Sequence, residues 1–318
     1  NYFIFNRRCY DFIMKREEKA DKLEKEFLKE EKKEKNTKRI KTVIKIIFIL
    51  ITLFLLLILY MHFIGTKGLI VREYKVESNQ LPDSFHGFKV VQFSDLHYLS
   101  TIHEKELKNI VNKINKLKPD IVVFTGDLIE ESKTTTENDL KVLTTYLNKI
   151  EASTGLYAIK GNHDYSNDNF EKVVNQTNFK ILDNTYELIY YQGNIPILLT
   201  GNGSIIHNDC DIDKAFSYDK MDNLYTISLI HEPDVTDNIR EKYSVNLILA
   251  GHTHNGQIRV PGLGAIMKVE EGKIYPNQEY TLGNTKLYVS GGLGTSMYEF
   301  RLFNHPSINF YRLTKEAK

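Results

Sequence analysis

Five short blocks hold most of the side chains in this sequence that could do metal chemistry. In order they are Asp95-Leu96-His97, Gly126-Asp127, Gly161-Asn162-His163-Asp164, His231 and Gly251-His252-Thr253-His254. Five of the ten histidines fall inside them, so the set demands a common explanation. Carboxylates, imidazoles and one carboxamide are ligands that suit divalent Mn, Fe or Zn. Two such ions ~3.5 to 4 Å apart could take a proton from a bridging water and clamp a phosphate for in-line attack. Holding two dications that close needs an anionic bridge, and Asp127 is the candidate.

These blocks need rigid elements to position them. Each follows an apolar run that reads as a strand: Phe88 to Phe93, Ile121 to Phe124, Leu156 to Ile159, Leu224 to Ile230 and Val245 to Ala250. Loops at the carboxyl ends of strands are where open α/β sheets place their chemistry. Asp95 and Asp127 lie 32 residues apart, and Asp127 and Asn162 lie 35 apart, room for one strand-helix unit each. Leu107, Ile110, Val111, Ile114 and Leu117 recur at helical spacing, which predicts a helix over 104–117. A second helix is expected near 137–150. From Lys180 to Thr200, apolar runs separated by Asp183-Asn184 and Gly193-Asn194 read as a β-meander. Late strands are expected around 286–289 and 308–312. The pattern alone gives an α/β or α+β protein.

The order of the blocks resembles the calcineurin-like metallophosphoesterases: D-x-H, G-D, G-N-H-D, H, G-H-x-H. The resemblance covers roughly Lys89 to Leu313 and implies a four-layer α-β-β-α sandwich. It also implies two divalent ions (Mn, Fe, Zn or Mg), the first on Asp95, His97, Asp127 and His254. The second would take Asp127, Asn162, His231 and His252. His163 would then act on the phosphate or protonate the leaving oxygen, with Asp164 orienting its ring. Gly256 would permit close backbone approach. Gly292-Leu293-Gly294-Thr295-Ser296, then Arg301 and Pro306, is similar to the tail of membrane-linked or exported phosphodiesterases. Those relatives often carry an arginine just before the glycines, where this chain has Ser290-Gly291.

The amino-terminal quarter has a different character. A lysine- and glutamate-rich leader, 1–42, reads as a solvated and partly helical tail. It precedes an apolar run from Ile46 to Met61. With its flanks this run reaches 23 residues, ~34 Å of helix, enough for a bilayer core of ~30 Å. We read 43–64 as an uncleaved transmembrane anchor, 65–87 as a stalk with an edge strand, and 88–318 as the catalytic domain. Eight Lys or Arg precede the span between Lys29 and Lys45, and three follow it, Lys67, Arg72 and Lys75. That bias places the leader in the cytoplasm and the domain outside the cell membrane, with a single pass. Cys9 and Cys210 would then lie on opposite sides and cannot pair.

A tethered domain favours a lipid-linked or cell-envelope phosphodiester or pyrophosphate over a soluble nucleotide. A formal charge of +1 gives no ground for nucleic-acid binding. The alternatives are a non-catalytic metal-binding scaffold or receptor with this fold, and a soluble-nucleotide phosphodiesterase. A protein phosphatase is disfavoured, because Ser94, Tyr98 and Tyr165 stand where those enzymes carry arginines. His207 lies in a loop, 202–213, that could line the pocket.

Overall fold

Alternation along one short strand sets the layering. In Lys89–Phe93, Val91 and Phe93 turn toward a core shared with helices, while Val90 turns into a core shared with a second sheet. The computed structural model describes residues 2–219 and 223–316, with side chains from Tyr10 onward, so the Cys9 side chain lies outside the described residues. In chain order the elements begin with α1 (Tyr2–Phe63), β1 (Ile70–Ser78), β2 (Lys89–Phe93), α2 (Glu104–Lys116) and β3 (Ile121–Thr125). Next come α3 (Glu137–Leu147), β4 (Gly155–Ile159), α4 (Asn169–Val174), β5 (Phe179–Ile181), β6 (Thr185–Ile189) and β7 (Ile197–Gly201). The remainder are α5 (Ile212–Ala215), β8 (Thr226–Leu229), α6 (Thr236–Lys242) and β9 (Leu247–Ala250). They are followed by β10 (Arg259–Val260), β11 (Gly264–Ala265), β12 (Glu279–Leu282), β13 (Thr285–Val289) and β14 (Ser307–Lys315).

Two six-stranded sheets result, ordered β1-β14-β2-β3-β4-β5 and β12-β13-β9-β8-β7-β6. Their facing surfaces meet in one core that includes Ile121, Val123, Ile159, Leu199, Ile227 and Leu249. Each fully buried Leu or Ile there contributes ~1.5–3 kcal/mol of transfer free energy. The outer face of the first sheet packs α2, α3 and α4 through Leu107, Ile114, Leu143 and Phe170. The outer face of the second packs α5 and α6 through Ala215 and Ile239. The strands and helices from β1 onward form the four-layer α-β-β-α sandwich.

Two local expectations are revised. The stretch 180–200 is not one meander. β5 pairs in parallel with β4 in the first sheet, and only β6 and β7 form an antiparallel pair in the second. The turn at Asp183-Asn184 is where the chain changes sheets. The leader is also more regular than a partly helical tail, because α1 runs unbroken through the leader and the apolar run. No Gly or Pro occurs before Gly65, and Lys25–Asp21, Lys35–Glu31 and Lys38–Glu34 pair at i,i+4 spacing.

α1 carries a window of mean hydropathy 3.0, long and apolar enough to cross a membrane. The chain divides into two units after Leu59, so the last turn of α1, Tyr60–Phe63, groups with the sandwich. The segment after it is no loose spacer. β1 pairs in parallel with β14 along nine residues at the edge of the first sheet.

Candidate metal centre

β2, β3 and β4 run parallel, as do β8 and β9, so their carboxyl ends rise on one edge and deliver the five blocks there. A buried side chain locks the two sheets together beneath that edge. Gln92 Nε2 donates to Thr125 Oγ1 (3.0 Å) and to the Ala250 carbonyl (2.9 Å), while its Oε1 accepts from the Tyr311 hydroxyl (2.7 Å). The loops after β2 and β9 are thereby fixed against each other. His252 N donates to Asp95 Oδ1 at 2.8 Å.

Asp95, His97, Asp127, Asn162, His231, His252 and His254 all converge here. His97 Nε2 is 3.5 Å and His231 Nε2 is 3.2 Å from Asp127 Oδ2. Asn162 Oδ1 lies 3.1 Å from His231 Nε2 and 2.9 Å from His252 Nδ1. His254 Nε2 is 3.5 Å from Asp95 Oδ1 and 3.0 Å from His97 Nε2. Five of these seven residues hold positive φ: Asp95 (51°), His97 (39°), Asp127 (62°), His252 (68°) and His254 (48°). Left-handed backbone costs ~1–3 kcal/mol per non-glycine residue and concentrates at functional sites. Glycines allow the close approach. A Cβ on Gly126, whose φ is +93°, would sit 2.6 Å from His231 Nδ1, and one on Gly161 would sit 2.6 Å from His231 Cε1.

Backbone acceptors and acids fix which nitrogen each ring presents. His231 Nδ1 donates to the Thr125 carbonyl (2.7 Å), turning Nε2 inward. His252 does the reverse, with Nε2 donating to the Glu270 carbonyl (2.7 Å) and Nδ1 inward. His97 Nδ1 lies 3.0 Å from Glu130 Oε2. Burial would raise the Glu130 carboxyl, but the His97 ring and the Ser132 hydroxyl bring it down to about 2. Such partners set the tautomer and basicity of a ligating imidazole.

The electrostatics suit cations. Although burial works against its charge, Asp127 is held well below the usual carboxylate range by His231, His163 and His97. Burial, with His97 and Arg301 adding repulsion, keeps His254 well below the usual imidazole range. Asp95 Oδ2 is buried without a hydrogen-bond partner, and the inward nitrogens of His97 and His254 confront each other. A divalent ion would satisfy both conditions, so the donor set fits metal. Asp95, His97 and His254, Asp95, Asp127 and His231, and His97, Asp127 and His163 each bring donor atoms within 4.8 Å of one another.

One expected contact is corrected. Among the described residues, Asp164 makes no hydrogen bond to the His163 ring. Its buried carboxylate turns back into the fold and accepts from the backbone N–H groups of Asp127 (2.8 Å), Leu128 (2.9 Å) and Gly161 (2.8 Å). Burial and the nearby Asp127 charge push Asp164 up to about 7, against the pull of those three donors. The acid beside His163 Nδ1 is Glu131, whose Oε1 is 3.3 Å away. His207 stacks on Tyr165 and does not line the pocket over the metal residues.

The glycine-rich tail segment supports the site from behind. Leu293 N and Gly294 N donate to the Asp95 carbonyl at 3.1 and 2.8 Å. Arg301 is wholly buried and donates to the Gly294, Gly291 and Asn304 carbonyls, and Asn304 Nδ2 donates to the His254 carbonyl. Burial pulls Arg301 down to about 10, so it remains a cation at neutral pH. Glu130, Gln92 and the positioning role of Arg301 were not evident from sequence. A polar residue inside an apolar strand run, such as Gln92, was the one available signal.

A family model, calcineurin-like phosphoesterase, matches residues 88–256, the stretch that contains all five blocks. The chain belongs to the calcineurin-like phosphoesterases. It is 32% identical over 257 residues to the uncharacterized metallophosphoesterase YkuE of Bacillus subtilis, covering 80% of this chain and 88% of that protein. It is 31% identical over 239 residues to an uncharacterized metallophosphoesterase of Campylobacter jejuni, covering 73% of this chain and 60% of the relative. It is also 30% identical over 230 residues to the UDP-2,3-diacylglucosamine pyrophosphatase LpxG of Chlamydia trachomatis, covering 57% of this chain and 68% of that enzyme. As a calcineurin-like phosphoesterase it is a metal-dependent hydrolase of phosphoester bonds.

Proposed function

We propose that this chain is a membrane-anchored, two-metal hydrolase that cleaves a phosphodiester or pyrophosphate on a lipid-linked or cell-envelope substrate. The observation that carries the two-metal reading is the place of Asp127. Its Oδ2 faces the inward nitrogens of His97 and His231 at 3.5 and 3.2 Å, one from each expected ligand group. Asp127 would be the shared ligand, with Asp95, His97 and His254 on one side and Asn162, His231 and His252 on the other. Bound there, two divalent ions supply Lewis acidity and an ionisable water. Glu130, Thr125 and Glu270 hold the imidazoles in the tautomers that ligation requires. His163 is the most accessible histidine of the cluster, with Nε2 3.9 Å from Asp127 Oδ2. That position suits it to hold a proton for the leaving oxygen. A second reading makes His163 a ligand, since its donor atom groups with those of His97 and Asp127.

The substrate class rests on three supports. LpxG, a relative, is named for action on a diacylated nucleotide-sugar pyrophosphate. One wall of the pocket is apolar, formed by Ile258, Met267, Val269, Met297 and Tyr298. The apolar stretch 43–64 reads as the anchor, with the leader 1–42 cytoplasmic and the domain outside by the lysine and arginine bias. The test is to load the purified full chain separately with Mn, Fe, Zn or Mg. Hydrolysis of bis-p-nitrophenyl phosphate and of a polyprenyl pyrophosphate is then measured. Metal-dependent turnover of both, with preference for the lipid, is expected; no turnover with any metal would overturn the hydrolase reading.

A further inference from the structure

Large apolar side chains stand exposed on the loops that line the pocket over the clustered histidines and carboxylates. Leu263, at the turn between β10 and β11, is 80% exposed, Met297 73% and Phe303 63%; Ile266, Met267 and Tyr298 are exposed too. They belong to two loops joined to each other, since Arg259 N donates to the Leu302 carbonyl and Leu302 N to the Gln257 carbonyl. Met297 and Tyr298 also line the pocket. Met297 and Phe303 hold left-handed backbone, with φ of 61° and 51°, so bulky apolar residues are displayed in a conformation such side chains rarely adopt. Exposed apolar residues gathered around a functional pocket mark an interaction surface, not scattered surface variation.

What covers this surface is indicated by the segment bonded to it. Arg301 N donates to the Met61 carbonyl, and His62 Nδ1 donates to the Glu299 carbonyl (3.0 Å). The turn Tyr60–Phe63, where the apolar run ends, is therefore tied to the loop that displays Met297, Tyr298 and Phe303. Phe63 and Ile64, 63% and 57% exposed, extend the same apolar character. We propose that this rim seats in the bilayer interface, with lipid hydrocarbon as its occupant, so that the metal pocket opens at headgroup depth. The proposal rests on the reading that the apolar run of α1 crosses the membrane. A rim inserted this way would let the reacting phosphate reach the metals while its acyl or prenyl chains stay in the membrane.

The chain contains no tryptophan, so each single-tryptophan variant has one indole, excited at the red edge of its absorption where the nineteen tyrosines do not absorb. Full-length Leu263→Trp, Phe303→Trp, Leu53→Trp and Ile195→Trp are reconstituted in phosphatidylcholine vesicles with or without brominated acyl chains. Leu53 lies in the apolar run. Ile195 is exposed before the amino-terminal end of β7, opposite the metal edge. Bromination should quench the rim tryptophans about twofold, as expected for side chains ~5–10 Å into the interface, quench position 53 more strongly, and spare position 195. Quenching at 53 with none at 263 and 303 would overturn the rim while leaving the anchor intact. No quenching at 53 would overturn both. Rim emission that responds to protein concentration but not to bromine would assign the surface to a second copy and overturn the lipid occupant.

Discussion

Asp164 grips Asp127 from behind: its Oδ2 accepts the Asp127 backbone N–H at 2.8 Å, and the same carboxylate holds Leu128 and Gly161. The G-N-H-D block therefore contributes a clamp on the neighbouring G-D block in addition to its own Asn162 and His163. Asp127 keeps its left-handed φ of 62° because that clamp holds its amide in place.

Removing the clamp should damage the fold and the site together. Asp164→Ala leaves three buried N–H groups without an acceptor, and each unsatisfied donor costs ~1–3 kcal/mol. We expect a destabilisation of ~3 kcal/mol or more and loss of bound metal, checked by denaturant unfolding and elemental analysis. Unchanged stability would mean that the carboxylate is not the support of this loop.

His163 should separate chemistry from metal binding. As a proton donor to the leaving oxygen, its loss in His163→Ala should slow turnover ~10²- to 10⁴-fold with both ions retained. The loss should be smaller for p-nitrophenolate than for an alkoxide leaving group. Loss of an ion, or equal slowing for every leaving group, would favour the ligand reading. Glu131→Gln should have a milder effect, because Glu131 is half-exposed and touches only Nδ1.

Glu130 should tune the metal without binding it. Glu130→Ala removes the partner 3.0 Å from His97 Nδ1 and should weaken metal affinity ~10- to 100-fold, measured by competition with a chelator. Affinity equal to the parent chain would dismiss that role.

Orientation is tested in cells. Protease added to intact spheroplasts should digest the sandwich while leaving the leader protected. Protection of the domain until lysis would reverse the topology.

The blocks that converge on one sheet edge were legible because strand ends, glycines and imidazoles sit together along the chain. What supports them was not, because it acts across long sequence separations. Gln92 reaches Ala250, Arg301 serves the loop behind Asp95, and Glu130 meets His97 only after the chain has passed through α2 and β3. The role of Asp164 was misread for a related reason. Adjacency to His163 suggests a bond between them, but in the short 3-10 turn over Asn162–Tyr165 the Asp164 carboxylate is taken up by three backbone amides instead. The paired sheets came from the family resemblance and not from the pattern, and β5 was grouped with the following hairpin because three residues beside a turn fit either sheet.

The central claim is that Asp127 is shared by two metal ions. It is tested most directly by elemental analysis of Asp127→Asn, with turnover of bis-p-nitrophenyl phosphate measured on the same preparation. The account predicts two ions per chain in the parent protein, one or none in the variant, and hydrolysis nearly abolished. A variant that keeps two ions and near-parental turnover would contradict it.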